Sequence, residues 1–460
     1  MASKTTLNAK NLEALGVERL AELLIEVSTG NANHKRRLRM ELAGNSSSAE
    51  LAREVRKRLG SIARAQSWIG WRKIKSFKAD LESQRNTIVK KIAPSDPEDG
   101  FELIWQFLSL SDQIFERSDD GNGTLLQSFH AANRDAGHIA TQANPPTERL
   151  VDQIFQALLN NEYGQYDQLI SSMAPALKEN GLRRLQQRFE EWNNEHSTHK
   201  HSATADARSG AVKISLQKIA DELNDVELFV AQHPAHTHRL PSVSTEIATR
   251  LLSAGRPQEA LEMLDGAQFS GERETLPEWQ LTRVNALEAL GYLEEAQQFR
   301  WDGFRQTLNV DLLRGFLRKL PDFDDIDAEE KAFTLVGDYP DANKAILFFM
   351  QYPSVSQMAK FVIHRSSELD GEKYELMSAA AERLVDKYPV AAILLFRRMI
   401  DFALTRGRTS RYKQAAQYLS ECILLDRNVT SCGTIVQHDV YLSNLRKQHH
   451  KKYSFWDLVN

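Results

Sequence analysis

The stretch LLSAGRPQEALEMLDGA, residues 251–267, returns in outline as LEALGYLEEAQQFRWDG at residues 287–303. Gly255, Glu259 and Ala260 recur as Gly291, Glu295 and Ala296, each thirty-six residues later. In both copies an apolar helix end, Leu251–Leu252 or Leu287 with Leu290, precedes the glycine. Glycine adopts the left-handed conformation that closes a helix at little steric cost. Five residues on, an alanine sits early in the second helix, where a small side chain lets two helices approach closely. Arg256 aligns with Tyr292, so the unit requires no charge there, and Glu259 reads as a surface residue. The period is close to the roughly 34 residues of the tetratricopeptide unit.

A third, weaker copy lies in YPVAAILLFRRMIDFALTRGRTSRYKQAAQYLSECILL (388–425), with Gly407 as the turn and Ala415 and Ala416 in the next helix. Its glycine-to-alanine spacing is eight rather than five, so a longer turn is predicted. YPDANKAILFFMQYPSVSQMAKFVIHR (339–365) reads as a further helix pair with the signature worn away.

Helical periodicity dominates the rest of the chain. NLEALGVERLAELLIEVST (11–29) predicts a helix capped by Asn11. SSAELAREVRKRLGSIARA predicts one capped by Ser47 or Ser48, with Leu51, Val55, Leu59 and Ile62 as its apolar stripe. PEDGFELIWQFLSLSDQIFE places Phe101, Ile104, Trp105, Leu108 and Phe115 on one broad face. No stretch alternates apolar and polar residues as a half-buried strand would. The expected fold is all-α, an N-terminal helical domain followed by an irregular tetratricopeptide-like α-solenoid. The expected divisions are a basic domain at 1–145, a helical pair ending in a polar linker at 146–205, and the solenoid at 206–460. Tyr453, Phe455 and Trp456 of the basic tail LRKQHHKKYSFWDLV are expected to cap the last repeat.

Composition is that of an ordinary globular protein, 42% hydrophobic and 26% charged. Two cysteines, Cys422 and Cys432, exclude a disulfide framework and suit a reducing compartment. No apolar run approaches the roughly 20 residues of a membrane span. MASKTTLNAKNLEAL lacks the apolar core of a signal peptide. A cytoplasmic location is expected. Charge is uneven: residues 34–91 hold 16 Lys/Arg against five Asp/Glu, which leaves the remainder of the chain strongly acidic.

The segments AGRPQEALEML, LGYLEEAQQFRW, KRRLRMELAG, AREVRKRLGSIARA and HDVYLSNLRKQHHKKYSFWDLV resemble an uncharacterised bacterial family of tetratricopeptide-like helical proteins. The likeness spans most of the chain. The C-terminal third is similar to the helical region that follows the zinc finger in SWIM-type proteins. The finger's Cys-x-Cys and Cys-x-His are absent from this sequence, so no zinc or nucleic-acid role carries over. The resemblance implies a tetratricopeptide-like fold and no assigned activity.

No phosphate-binding, dinucleotide or nucleophile-elbow motif occurs. His196, His199 and His201, and then His233, His236 and His238, cluster in polar segments without acidic partners and read as solvated. Cys422, Cys432, His438, His449 and His450 match no zinc spacing, and Cys422 reads as a core thiol. SDDGNGT (118–124) reads as a turn, and the acids of PDFDDIDAEE (321–330) as favouring a helix N-terminus. No catalytic residue, cofactor or metal is expected.

The strongest positive feature is the basic face of Lys35, Arg36, Arg37, Arg39, Arg53, Arg56, Lys57, Arg58, Arg72 and Lys73, interleaved with Trp68, Trp71 and Phe77. Clustered cations with stacking aromatics suit nucleic acid. Trp68 and Trp71 at helical spacing also suit core packing, with the cations meeting an acidic surface. The first expectation is a protein-interaction scaffold using the concave face of the array. The alternative is phosphate-backbone binding by the basic helices of residues 34–91.

Overall fold

A computed structural model of the chain describes residues 6–196, 203–269, 276–352, 354–427 and 436–459. The described residues are helices and connecting turns, with no strand among them, and the fold is all-α. No helix among them is long and apolar enough to cross a membrane. Two compact units divide the chain, Met1–Pro234 and Ala235–Asn460.

The first unit is built around the helices Leu126–Ala143 and Leu169–His196, which pack on each other. Pro97–Leu108 lies against the former, while Thr147–Leu159 and Ala203–Leu223 lie against the latter. The long helix breaks at Lys178, whose φ is 54°. Pro175 precedes the break; it offers no amide hydrogen and its ring crowds the preceding turn. At the front, Asn8 rather than Asn11 is the cap: its side chain accepts from the Asn11 amide at 2.9 Å. The expected single helix over 11–29 is two, Ala9–Glu13 and Val17–Ser28, separated at Gly16 with φ 84°. SDDGNGT is a turn, in which the Asp120 carboxylate accepts from the amides of Leu125 (2.9 Å) and Leu126 (3.1 Å).

In the second unit each helix packs on the next one or two along the chain. Pro241–Ser253 meets Pro257–Asp265 and Pro277–Ala289, and Pro277–Ala289 meets Leu293–Thr307. The same neighbour-to-neighbour order continues to Tyr453–Val459. That is the packing of a repeat array, in which no unit can bury its apolar face alone. One hydrophobic cluster runs from Val284 to Phe455.

The turns of the three copies share one bonding pattern. The Gly255 amide donates to the Leu252 carbonyl at 3.0 Å and the Arg256 amide to Leu251 at 2.8 Å. Gly291 repeats this with Glu288 (2.9 Å) and Tyr292 with Leu287 (2.9 Å); Gly407 does so with Leu404 (3.2 Å) and Arg408 with Ala403 (2.9 Å). These are Schellman caps, and the three glycines have φ of 73°, 81° and 63°. Ala260, Ala296 and Ala415 are buried, and the helix that carries each packs on the one before it. The three extra residues of the third copy form the single 3₁₀ turn Thr409–Arg411. A Cβ on Gly255 or Gly291 would meet nothing within 4 Å, so alanine there costs only backbone strain. Gly255→Ala and Gly291→Ala are each expected to lose about 1 kcal/mol, a fall of about 2–4 °C in Tm, with asparagine milder. Thermal melts of these variants check this.

Candidate functional site

The basic region is carried by the helix Ala32–Ser46, which holds Lys35, Arg36, Arg37 and Arg39, and by a following pair of helices, Ser48–Ala63 and Trp71–Thr87. Ser47 caps the first of the pair, accepting from the Glu50 amide at 3.1 Å, and the stripe Leu51, Val55, Leu59 and Ile62 is buried as its spacing predicts. That burial leaves Arg53, Arg56 and Lys57 outward. The second helix buries Ile74 and Leu81 and runs into a π-helical turn, Ile88–Ile92.

Residues 64–70 between them are not helical. Ile69 instead pairs with a segment some fifty residues on: its amide donates to the Arg117 carbonyl at 2.8 Å, and the Asp119 amide donates to its carbonyl at 3.1 Å. This overturns the packing reading of the tryptophans. Trp68 precedes the helix and Trp71 begins it, so the two share no helix face. They are 60% and 69% exposed.

The predicted cations separate into two groups. Arg56 pairs with Asp99, and Arg58 Nε donates to Asp80 Oδ2 at 3.0 Å. Burial, and then the nearby Arg58, hold the Arg36 guanidinium below its ordinary range. Lys35, Arg37, Arg39, Arg53, Lys57, Arg72 and Lys73 form no ion pair among the described residues. The Arg72 guanidinium lies 5.0 Å from the centre of the Trp71 ring.

Behind Trp68 lies a cavity of about 310 Å³, lined by Arg58, Lys73, Arg117, Phe77 and Asp80 among others. Arg117 is the residue that sequence reasoning missed. It stands alone in FERSDD, with no local pattern to mark it. Its guanidinium lies 5.7 Å from the Phe77 ring centre and donates to the carbonyls of Ser67 (3.0 Å) and Ile62 (3.2 Å). Burial lowers its pKa. Three cations against one carboxylate, beside an open indole, can hold an anion that carries a planar ring.

The chain's match to a family model covers residues 2–458. The chain belongs to DUF6880, a family of unknown function. No curated protein matches it. Among solved structures it is similar to one described as a circular tandem repeat protein with novel repeat topology and enhanced subunit contact surfaces. That likeness is 14% identical, covers 96% of this chain and 99% of the other, and has a TM-score of 0.13. So weak a superposition says nothing of the fold, which rests on the chain's own helices and turns.

Of the histidine and cysteine candidates, Cys422, His438 and His449 gather around Arg397 and Asp401. His196 stacks on Trp192 with ring centres 4.4 Å apart, and His233 is buried with Nε2 2.7 Å from the Gln217 side-chain nitrogen. His199, His201 and Cys432 lie outside the described residues. Among the described residues no group of three or more His, Cys, Asp or Glu is arranged to hold a metal. The acids Asp324, Asp325 and Asp327 occupy the first turn of Asp324–Gly337. In the tail, Phe455 is buried edge-on to Tyr412 at 5.8 Å, and Trp456 Nε1 donates to the His449 carbonyl at 2.9 Å. Tyr453, expected to pack with them, is exposed.

Near that tail a polar cluster is buried. Arg397 lies 4.5 Å from the Tyr441 ring centre and donates to the Val436 carbonyl at 2.7 Å; the Tyr441 hydroxyl donates to Asp401 Oδ1 at 2.8 Å. Burial pushes the Cys422 thiol up to about 12, an inert core thiol as its sequence context predicts. Neither ring nitrogen of buried His438 has a hydrogen-bond partner. Burial, and then Arg397, lower its pKa. The folded value lies below that of the unfolded chain, so the unfolded state binds the proton more readily. Stability is therefore full above about pH 6.5 and is lost as pH falls below it. Denaturation of the full chain at pH 7.5 and 5.5 should show this loss, and His438→Gln should reduce the difference.

Proposed function

We propose that this protein is a non-catalytic interaction scaffold. The array of residues 235–460 is the frame, since stacked helical units commonly present surfaces to peptides and proteins. The observation that carries a protein partner is the helix Val17–Ser28. It is amphipathic, yet Ser28 is its only buried residue. Leu24 and Val27, one helical turn apart, are 52% and 66% exposed, and Ile25 at the edge of the same broad face is 66% exposed. Contiguous uncovered apolar surface of this kind marks interaction sites. A photoreactive side chain placed at Ile25 in the full chain should cross-link one defined protein, and Val27→Lys should abolish the capture while leaving circular dichroism unchanged. Undiminished capture by the lysine variant would count against the proposal.

A second reading, binding of single-stranded nucleic acid by residues 34–91, is favoured by one observation. Trp68 and Trp71 stand open beside cations that form no ion pair among the described residues. Affinity for an oligonucleotide should fall steeply with salt, and Arg37→Glu with Lys57→Glu should flatten that dependence. No retention on nucleic acid at low salt would sink this reading.

A further inference from the structure

We propose that the cavity beside Trp68 holds one nucleoside phosphate unit, with the base against the indole and the phosphate between Lys73 and Arg117. The inference deepens the nucleic-acid reading and rests on it.

The first support is size. At about 310 Å³ the cavity lies at the lower end of small-molecule sites, about 300–1,000 Å³, which suits one nucleotide and not a duplex. The second is Arg117. Its guanidinium is half-buried, no carboxylate pairs with it among the described residues, and its Nε is buried without a hydrogen-bond partner. A cation withdrawn from water without a counter-ion is costly, and a bound anion offsets that cost. The third is the indole. Trp68 lines the cavity yet remains largely exposed, which leaves a ring face for stacking.

The walls are also fixed. Arg117 holds Ser67 and Ile62 through their carbonyls, and Ile69 pairs with the Arg117 and Asp119 backbone. The helix Trp71–Thr87 starts at this wall, and no side chain caps its first amides, so its positive end adds to the field of Lys73. Asp80 opposes an anion, but it is already engaged by Arg58. The lining keeps a net positive charge.

The source of the nucleotide is either a strand or a free molecule, and one titration separates them. The full chain is titrated with adenosine monophosphate, adenosine, inorganic phosphate and a ten-nucleotide oligo(dT), read by tryptophan fluorescence and calorimetry. The monophosphate should bind saturably, and adenosine and phosphate at least about tenfold more weakly. Trp68→Ala and the exposed-site variant Lys73→Glu should each weaken the monophosphate about tenfold or more with an unchanged circular dichroism spectrum. Tighter binding of the oligonucleotide assigns the cavity to a strand; equal binding assigns it to a free nucleotide. A monophosphate that does not bind, or binds Trp68→Ala equally well, overturns the cavity assignment. Salt-dependent oligonucleotide binding in that case would still uphold the wider basic face. Loss of both defeats both. Phosphate binding as tight as the monophosphate overturns the nucleoside part.

Discussion

Gly137→Ala should destabilise the N-terminal unit by about 3 kcal/mol or more, seen as a fall of about 10 °C in its thermal transition. Gly137 lies in Leu126–Ala143 where that helix crosses Leu169–His196. A Cβ there would stand 1.9 Å from the Ser172 carbonyl oxygen and 2.5 Å from its carbon. Both are backbone atoms inside a helix, so no rotamer change relieves the clash. The helices must separate, and the core to which they contribute buried side chains, Phe129 and Ile139 from one and Ile170 and Met173 from the other, loosens with them. The same substitution at Gly255 has open space around it and costs only its φ. An unchanged melt for Gly137→Ala would refute the close approach.

Phe304→Ala is the second large effect, about 3–5 kcal/mol from the second unit. The ring is fully buried and stands 5.7 Å from both Trp301 and Phe348. Phe348 continues the contacts to Phe349 (5.5 Å) and Tyr352 (5.4 Å), so the aromatic side chains join Leu293–Thr307 to Ala342–Gln351. In an array held by neighbour contacts, a cavity at one junction weakens the coupling between the units on either side. Chemical denaturation should show a lower midpoint and a broader transition for this unit. A midpoint shift equivalent to less than about 1 kcal/mol would show that Phe304 carries no such junction.

Much of this architecture was legible because it is local. Gly255, Gly291 and Gly407 announce their left-handed turns through the helix ends before them, and Ala260 and Ala296 announce close packing by their size and register. The stripe Leu51, Val55, Leu59 and Ile62 follows from the helical period alone. The cavity was not legible, for a physical reason. Trp68 and Trp71 have helical spacing, and only the pairing of Ile69 with the Arg117 backbone pulls residues 64–70 out of a helix. That pairing joins segments about fifty residues apart, and nothing near either end encodes it. Arg117 became a site residue by the same route. Likewise Gly16 divides what periodicity alone reads as one helix, and Asn8, not Asn11, caps the first of the two.

The three Schellman caps lead into connections of unequal length, and that inequality is a guide to engineering. In the third copy, Thr409–Arg411 adds three residues beyond the cap while Ala415 and Ala416 are still buried and their helix still packs on Pro389–Thr405. Helix pairing is therefore uncoupled from loop length immediately after the glycine. The positions after Arg256 and Tyr292, where the caps are complete, are accordingly the places to graft an epitope, a fluorophore-bearing peptide or an affinity handle.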